Sequence, residues 1–259
     1  STQYRSFFGG NPDLDADKSD SSTLGAVWNA TDDLSFELSY YNIQFEDQIS
    51  TLSLQRMFQL EQDGFANTVN RNPDGTVNFV QLTQLNLSGV ETDGIDFSAD
   101  YGLNTDNVGL FNFKFELSYV LNWDQELVPG DGFFSILDAH GVPEYRANFT
   151  ANWTLGNFQV GWVSNYIPSN GAADETCYPS FGSAPCTGDE FLIKNDSWLT
   201  HDLQVAYNLP WNAEIAIGAR NLFDENPPIN GPWYGWAPFD KYLYDGQGRI
   251  SYLRYKQNF

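Results

Sequence analysis

Residues Phe111–Asp124 read FNFKFELSYVLNWD. Phe111, Phe113, Phe115, Leu117, Tyr119, Leu121 and Trp123 share one parity. Asn112, Lys114, Glu116, Ser118, Asn122 and Asp124 fall on the other. Side chains of an extended chain alternate between two faces, so the stretch predicts a strand with one apolar and one polar side. At roughly 3.3 Å per residue it reaches about 40 Å. Most strands of soluble proteins run about 5–6 residues, whereas a tilted strand needs about 9–11 to cross a bilayer. The length and the alternation together fit a strand with lipid on one side and a watery lumen on the other.

The same alternation recurs in both directions. Leu24, Ala26, Trp28 and Ala30 form one apolar set; Leu34, Phe36, Leu38 and Tyr40 the next; Ile95, Phe97, Ala99 and Tyr101 the third. Beyond the opening stretch come Tyr145–Trp153, Phe158–Tyr166, Leu199–Tyr207, Ala213–Ala219, and a closing strand with Leu253, Tyr255 and Phe259 opposite Arg254, Lys256 and Asn258. These are about nine strands. Their connections alternate. Thr31–Asp33, Gly102–Val108, Leu155–Asn157 and Leu209–Asn212 are short; the segments near Ser50–Thr83, Glu126–Gly141, Ile167–Ser197 and Phe223–Asp245 are long and read as structureless. Four such loops are uncommon in a soluble sheet. Outer-membrane barrels carry tight turns at one end and long loops at the other. Tyr40, Tyr101, Trp123, Tyr145, Trp153, Trp162, Tyr166, Tyr207 and Trp211 sit near strand ends, as interfacial aromatic girdles require.

Composition excludes several classes. The formal net charge of -22 argues against nucleic acid or an anionic membrane surface as partner. No run of 18 apolar residues exists, so a transmembrane helix is not expected. The first residues, STQYRSFFGG, lack the apolar core of a signal peptide. Cys177 and Cys186 lie in one Gly/Pro/Ser-rich stretch and read as a local disulfide of an oxidising compartment. Asp13, Asp15 and Asp17 imitate the start of a calcium loop, but Lys18 and Leu24 stand where such a loop needs Gly and Glu, so no metal is expected.

Four motifs then resemble the C-terminal part of the barrel of a TonB-dependent outer-membrane receptor. They are Asn11-Pro12-Asp13-Leu14 through Lys18-Ser19, Gly89-Val90-Glu91 with Gly94, Asn221-Leu222-Phe223-Asp224, and Gly248-Arg249 with the terminal Phe259. Ala16 and Gln257 depart from the family's pattern. The resemblance implies an all-β antiparallel transmembrane barrel of 22 strands, of which residues 1–259 supply about nine. The N-terminal plug, with its energy-coupling segment, and the remaining strands have no counterpart here. It further implies a bacterial outer-membrane location, long loops extracellular, the C-terminus periplasmic, and Tyr255 and Phe259 in the signal read by the barrel insertion machinery. The expected partners are outer-membrane lipid, the TonB complex through the missing N-terminal part, and a small solute.

No catalytic constellation or cofactor site stands out. His140 and His201 are the only histidines. His201 falls on the apolar parity beside Leu199 and Leu203, Asp202 points to the other face, and no Ser is seen to converge on it, so an enzyme is not expected. The candidate ligand surface is Trp233, Tyr234, Trp236 and Phe239 in the last long connection, with Tyr178 and Phe181 between the cysteines. Exposed rings near Asn and Asp suit stacking on a sugar with hydrogen bonds to its hydroxyls; packing of loop on loop is the alternative. A free-standing porin or adhesin and a secreted β-sandwich remain open as other classes.

Overall fold

Alternating segments of this length fold only if their backbone groups pair with neighbours, and here each pairs with the strand next in sequence. The computed structural model describes residues 4–52, 54–62, 69–126, 132–138, 142–173, 192–229, 239–241 and 243–258. Within them run β1 (Ser6–Gly9), β2 (Lys18–Asn29), β3 (Leu34–Ser50), α1 (Leu54–Gln62), β4 (Val69–Arg71), β5 (Val77–Thr83), β6 (Leu85–Thr105) and β7 (Gly109–Glu126). Then follow β8 (Phe134–Ser135), β9 (Tyr145–Leu155), β10 (Phe158–Ile167), β11 (Asn170–Ala173), β12 (Leu192–Asn195), β13 (Trp198–Leu209), β14 (Ala213–Arg220) and β15 (Ile250–Gln257).

The main sheet is an antiparallel meander in the order β2-β3-β6-β7-β9-β10-β13-β14-β15, with the two-residue β8 appended to β7. These nine strands are the nine expected. The sheet is not closed: among the described residues β2 pairs only with β3, and β15 only with β14. The strands alternate between short and long connections, the short ones being 30–33, 106–108, 156–157 and 210–212.

The register lines up one apolar face across the sheet. Leu38 stands opposite Phe97, Phe97 opposite Leu117, Leu117 opposite Ala147, Trp162 opposite Leu203, Val205 opposite Ile217, and Ile217 opposite Leu253. Leu24, Ile217 and Leu253 are 78%, 64% and 71% exposed, so no layer of protein covers this face there. Two aromatic rows border it. Tyr119 and Tyr145 stack at 6.0 Å, and Tyr145 lies 6.1 Å from Tyr166, toward the long connections. Phe111 and Trp153 pair at 6.4 Å near the short turns. From Tyr119 to Phe111, and from Tyr145 to Trp153, the chain advances eight residues. That is about 26 Å along the strand and about 20 Å after a tilt near 40°. The apolar band of a membrane barrel is about 25 Å tall, so the two rows fall just inside its borders.

Two expectations are corrected. First, the alternation of β7 breaks. Asp93 pairs with Asn122 and Gly94 with Val120, leaving Leu121 as a bulge. The extra residue inverts the parity beyond it. Trp123, opposite Thr92, therefore lies on the polar face instead of the girdle, while Asn122 and Asp124 cross to the apolar side above the tyrosine row. There Asn122 Nδ2 and the Tyr40 hydroxyl both donate to the Asp93 carboxylate, at 2.8 and 3.2 Å.

Second, the long connections are not structureless. Residues 51–84 hold α1 and, with β1, a three-stranded sheet of order β1-β5-β4. Leu54, Met57 and Phe58 fall at helical spacing and pack with Leu52, Leu60, Val80 and Leu82 into a separate small core. Arg71 clamps Glu61 of α1 through two hydrogen bonds of 2.7 Å. Residues 168–197 contain the β11–β12 hairpin. Short apolar runs interrupted by Gly, Asn and Asp hide such elements from a periodicity reading.

Candidate functional site

The polar face carries the candidate site. Its middle is a concavity of about 470 Å³ lined by Glu37, Asp96, Lys114, Glu116, Arg146 and Asn148, among others. Lys114 pairs with Glu116 at 2.6 Å, and Arg254 with Glu214 at 2.9 Å. Along the nine strands this face holds the carboxylates Glu37, Asp96, Asp100, Glu116, Asp202 and Glu214 against Lys114, Arg146, Arg220, Arg254 and Lys256. It is therefore nearly neutral, and most of the charge of -22 resides elsewhere.

Two glycines let rings lie flat on this face. A Cβ at Gly94 would collide with the Tyr41 ring opposite it, and one at Gly218 would sit 2.5 Å from the Tyr252 hydroxyl. Tyr252 in turn hydrogen-bonds Gln204 at 3.0 Å. Gly94 is the last residue of the second motif, so its place there has a steric reason.

Toward the long connections the face ends in a smaller pocket of about 210 Å³. Asn165, Trp198, Thr200, Asp202, Arg220 and Asn221 line it, with Gln247 and Gly248 from the last connection. Ile167, Leu243, Tyr244, Trp198 and Phe239 make a small core beside it. Trp198 meets Tyr244 edge-to-face at 5.6 Å. Asn170 Nδ2 lies 2.8 Å from the Tyr244 hydroxyl, and Asn195 Nδ2 donates to Asn170 Oδ1 at 2.8 Å. Burial raises the pKa of Tyr244 above its ordinary value. Among the described residues, Trp198 Nε1 and Asn195 Oδ1 are buried without hydrogen-bond partners. Buried polar atoms in that state favour a site that takes water or a polar ligand group.

The third motif shapes the rim of this pocket. Asn221 (φ 47°) and Asp224 (φ 61°) adopt the left-handed region, which Asn and Asp tolerate. Asn221 Oδ1 accepts from the Glu225 amide, its Nδ2 donates to the Glu225 carbonyl, and its own amide donates to Asp202. Asp224 Oδ1 accepts from the Arg249 amide at 2.7 Å, and Gly248 passes so close that a Cβ would lie 2.6 Å from that oxygen. The first motif is stitched down similarly. Asn86 accepts from the Asp15 amide and donates to the Asp15 and Asp47 carbonyls, while Asp17 caps Ile49. The Asp15 and Asp17 positions thus serve strand ends.

Of the residues singled out from sequence, Trp233, Tyr234, Trp236, Tyr178, Phe181, Cys177, Cys186 and Phe259 lie outside the described residues. Phe239 packs against the core of Ile167, Leu243 and Tyr244. Tyr255 is on the apolar face, where its hydroxyl donates to Gln257 Oε1 at 2.6 Å; Gln257 Nε2 donates to the Trp211 carbonyl, and the Trp211 indole to Tyr255. Trp123 and Trp198 at the end of the polar face were not anticipated. Nor was Ser164, whose hydroxyl meets His201 Nδ1 at 2.9 Å. A Ser does converge on His201, contrary to the expectation, but among the described residues no acid completes the set: Asp202 is on the other face, bonded to Asn221.

The model of the TonB dependent receptor-like β-barrel family matches residues 1–222. The chain belongs to this family. Its members are transporters of the outer membrane and not enzymes. Among solved structures, a variant of the ferric enterobactin receptor of Pseudomonas aeruginosa superimposes with a TM-score of 0.65 at 17% identity, covering 96% of this chain and 32% of that one. The siderophore receptor PirA of Acinetobacter baumannii gives 0.63 at 18%, covering 97% and 33%. The outer-membrane transporter YddB of Escherichia coli gives 0.64 at 14%, covering 98% and 34%. At these identities the likeness is one of fold. The chain spans about a third of the length of each. No curated protein matches the sequence. In a transmembrane β-barrel the polar faces of the strands line the lumen and the apolar faces meet lipid.

Proposed function

We propose that this chain is the C-terminal part of the barrel of a TonB-dependent importer, with long connections outside the cell and β15 ending in the periplasm. The observation that carries it is the open meander: among the described residues, nine strands with one apolar face, two aromatic rows and a strand without a further partner at each edge. A sheet with such edges is completed by further strands. A plug and a TonB-contacting segment belong to the part of the receptor outside this chain, and the insertion machinery reads the end of β15. A free-standing porin or adhesin is the lesser reading, because an odd number of strands does not close as an antiparallel ring.

For the cargo we favour a neutral oligosaccharide. The external segments are rich in carboxylates, including Asp13, Asp138, Asp224, Glu225, Asp240 and Asp245, so an anionic chelate meets an opposing field. The lumenal wall is nearly neutral, and Trp123 and Trp198 add ring faces to those of Trp233, Tyr234, Trp236, Phe239, Tyr178 and Phe181. Ferric siderophore or vitamin uptake is the second reading; two of the structures of like fold are siderophore receptors. Calorimetry on the complete receptor decides. Binding of a glycan that is lost in Trp233→Ala/Trp236→Ala supports the first reading. Tight siderophore binding that survives the double substitution, with no response to any glycan, overturns it.

A further inference from the structure

The lipid-facing side of β10 and β13 carries a polar chain that import does not use. Trp162, Ser164 and His201 all lie on the apolar face, since Trp162 stands opposite Leu203 and Ser164 opposite both Phe149 and His201. Ser164 lies two residues from Tyr166 of the outer tyrosine row and six from Phe158 near the short turn. It is therefore about 5 Å below the row after tilt. The Trp162 indole N–H donates to Ser164 Oγ at 2.8 Å, and the Ser164 hydroxyl meets His201 Nδ1 at 2.9 Å. Beside the indole bond Ser164 still has its own proton to give, and it can donate it to Nδ1. In that tautomer the imidazole proton stands on Nε2, for which no hydrogen-bond partner exists among the described residues. Two rings wall the imidazole: Trp162 at 5.0 Å and Phe223, edge-to-face, at 5.4 Å.

An intramembrane histidine with a spare donor is costly on a lipid face unless something accepts from it. We propose that Trp162, Ser164 and His201 form a lipid site, in which His201 Nε2–H donates to an acyl carbonyl of a lipid in the leaflet beside the long connections. Ester and amide carbonyls of membrane lipids occupy this depth, just below the interfacial rings. Glycerophospholipid and lipid A both offer that chemistry. The arrangement binds and does not hydrolyse, because among the described residues no acid supports the imidazole: Asp202 is on the other face, bonded to Asn221.

The inference rests on the membrane reading above. The test is native mass spectrometry of the complete receptor, released from nanodiscs containing a diester phospholipid, its diether analogue without carbonyls, or lipid A. The wild type retains the carbonyl-bearing lipids about fivefold over the diether, the factor of a single net hydrogen bond. The diester and lipid A arms identify which source is held. His201→Phe keeps a ring but removes the donor and abolishes the preference; His201→Gln places an amide N–H near the Nε2 position and retains it. Equal retention of diether by the wild type, an unchanged preference in His201→Phe, or release of free fatty acid overturns the proposal. Failure of the wild type to enter nanodiscs overturns the membrane reading instead.

Discussion

Replacing Phe149 by Arg tests which face meets lipid. Phe149 lies on β9 four residues from Tyr145 and four from Trp153, about 13 Å along the strand from either aromatic row. That is the middle of the apolar band. Its ring stacks 6.4 Å from Phe113, and it is 38% exposed on a face that no protein covers. An Arg at the bilayer midplane of a barrel costs about 2–4 kcal/mol. That lowers the folding constant roughly 30- to 900-fold. The neighbouring Asn148 lies on the polar face opposite Glu116. Asn148→Arg there gains a carboxylate partner and stays within about 0.5 kcal/mol of wild type. The assay is denaturant unfolding of the complete receptor in lipid vesicles, followed by tryptophan fluorescence. A neutral Phe149→Arg with a costly Asn148→Arg refutes the face assignment.

Other consequences follow from single contacts. Gly218→Val drives a side chain into the Tyr252 ring and the Leu203 carbonyl and destabilises the sheet at β14 by about 1–3 kcal/mol in the same unfolding assay; Tyr252→Ala in the same chain relieves only part of it, because the new Cβ still lies 2.8 Å from that carbonyl. Arg71 holds the Glu61 carboxyl below its ordinary value of 4.5, so their contribution is complete above that value and is lost as pH falls through the lower folded value; hydrogen exchange of α1 should quicken below about pH 4.5 while β7 and β9 stay protected. Asn221→Ala removes both bonds to Glu225 and leaves a non-Gly residue at φ 47°, which should cost about 1–3 kcal/mol and loosen residues 221–229 to protease. Peptide mass spectrometry of protein from an oxidising compartment should recover Cys177 bonded to Cys186.

The strands were legible because a membrane sheet imposes one rule on every residue: parity decides lipid or water. Phe113, Leu117, Phe149, Val205 and Ile217 obey it, and the register joins them into one face. Parity fails where a bulge intervenes. Nothing in the residues Tyr119–Trp123 marks Leu121 as the unpaired one, since the cause is the pairing of its neighbours Asn122 and Val120 with Asp93 and Gly94, some thirty residues away. Ser164 and His201, 37 residues apart, meet through strand register that sequence alone does not align. The small core of α1, β4 and β5 was hidden for another reason: its apolar residues are few and its helix is nine residues long. At the mouth, Trp198 was not singled out from the sequence. Its buried, partnerless indole became visible once Tyr244 and Ile167 were packed around it.

The account stands on the unpaired edges, and the most direct measurement is an electron-cryomicroscopy structure of the complete receptor in nanodiscs, read at β2 and β15. The account predicts that the free backbone groups of both strands are hydrogen-bonded to strands outside residues 4–258. A ring in which β15 pairs directly with β2 would contradict it.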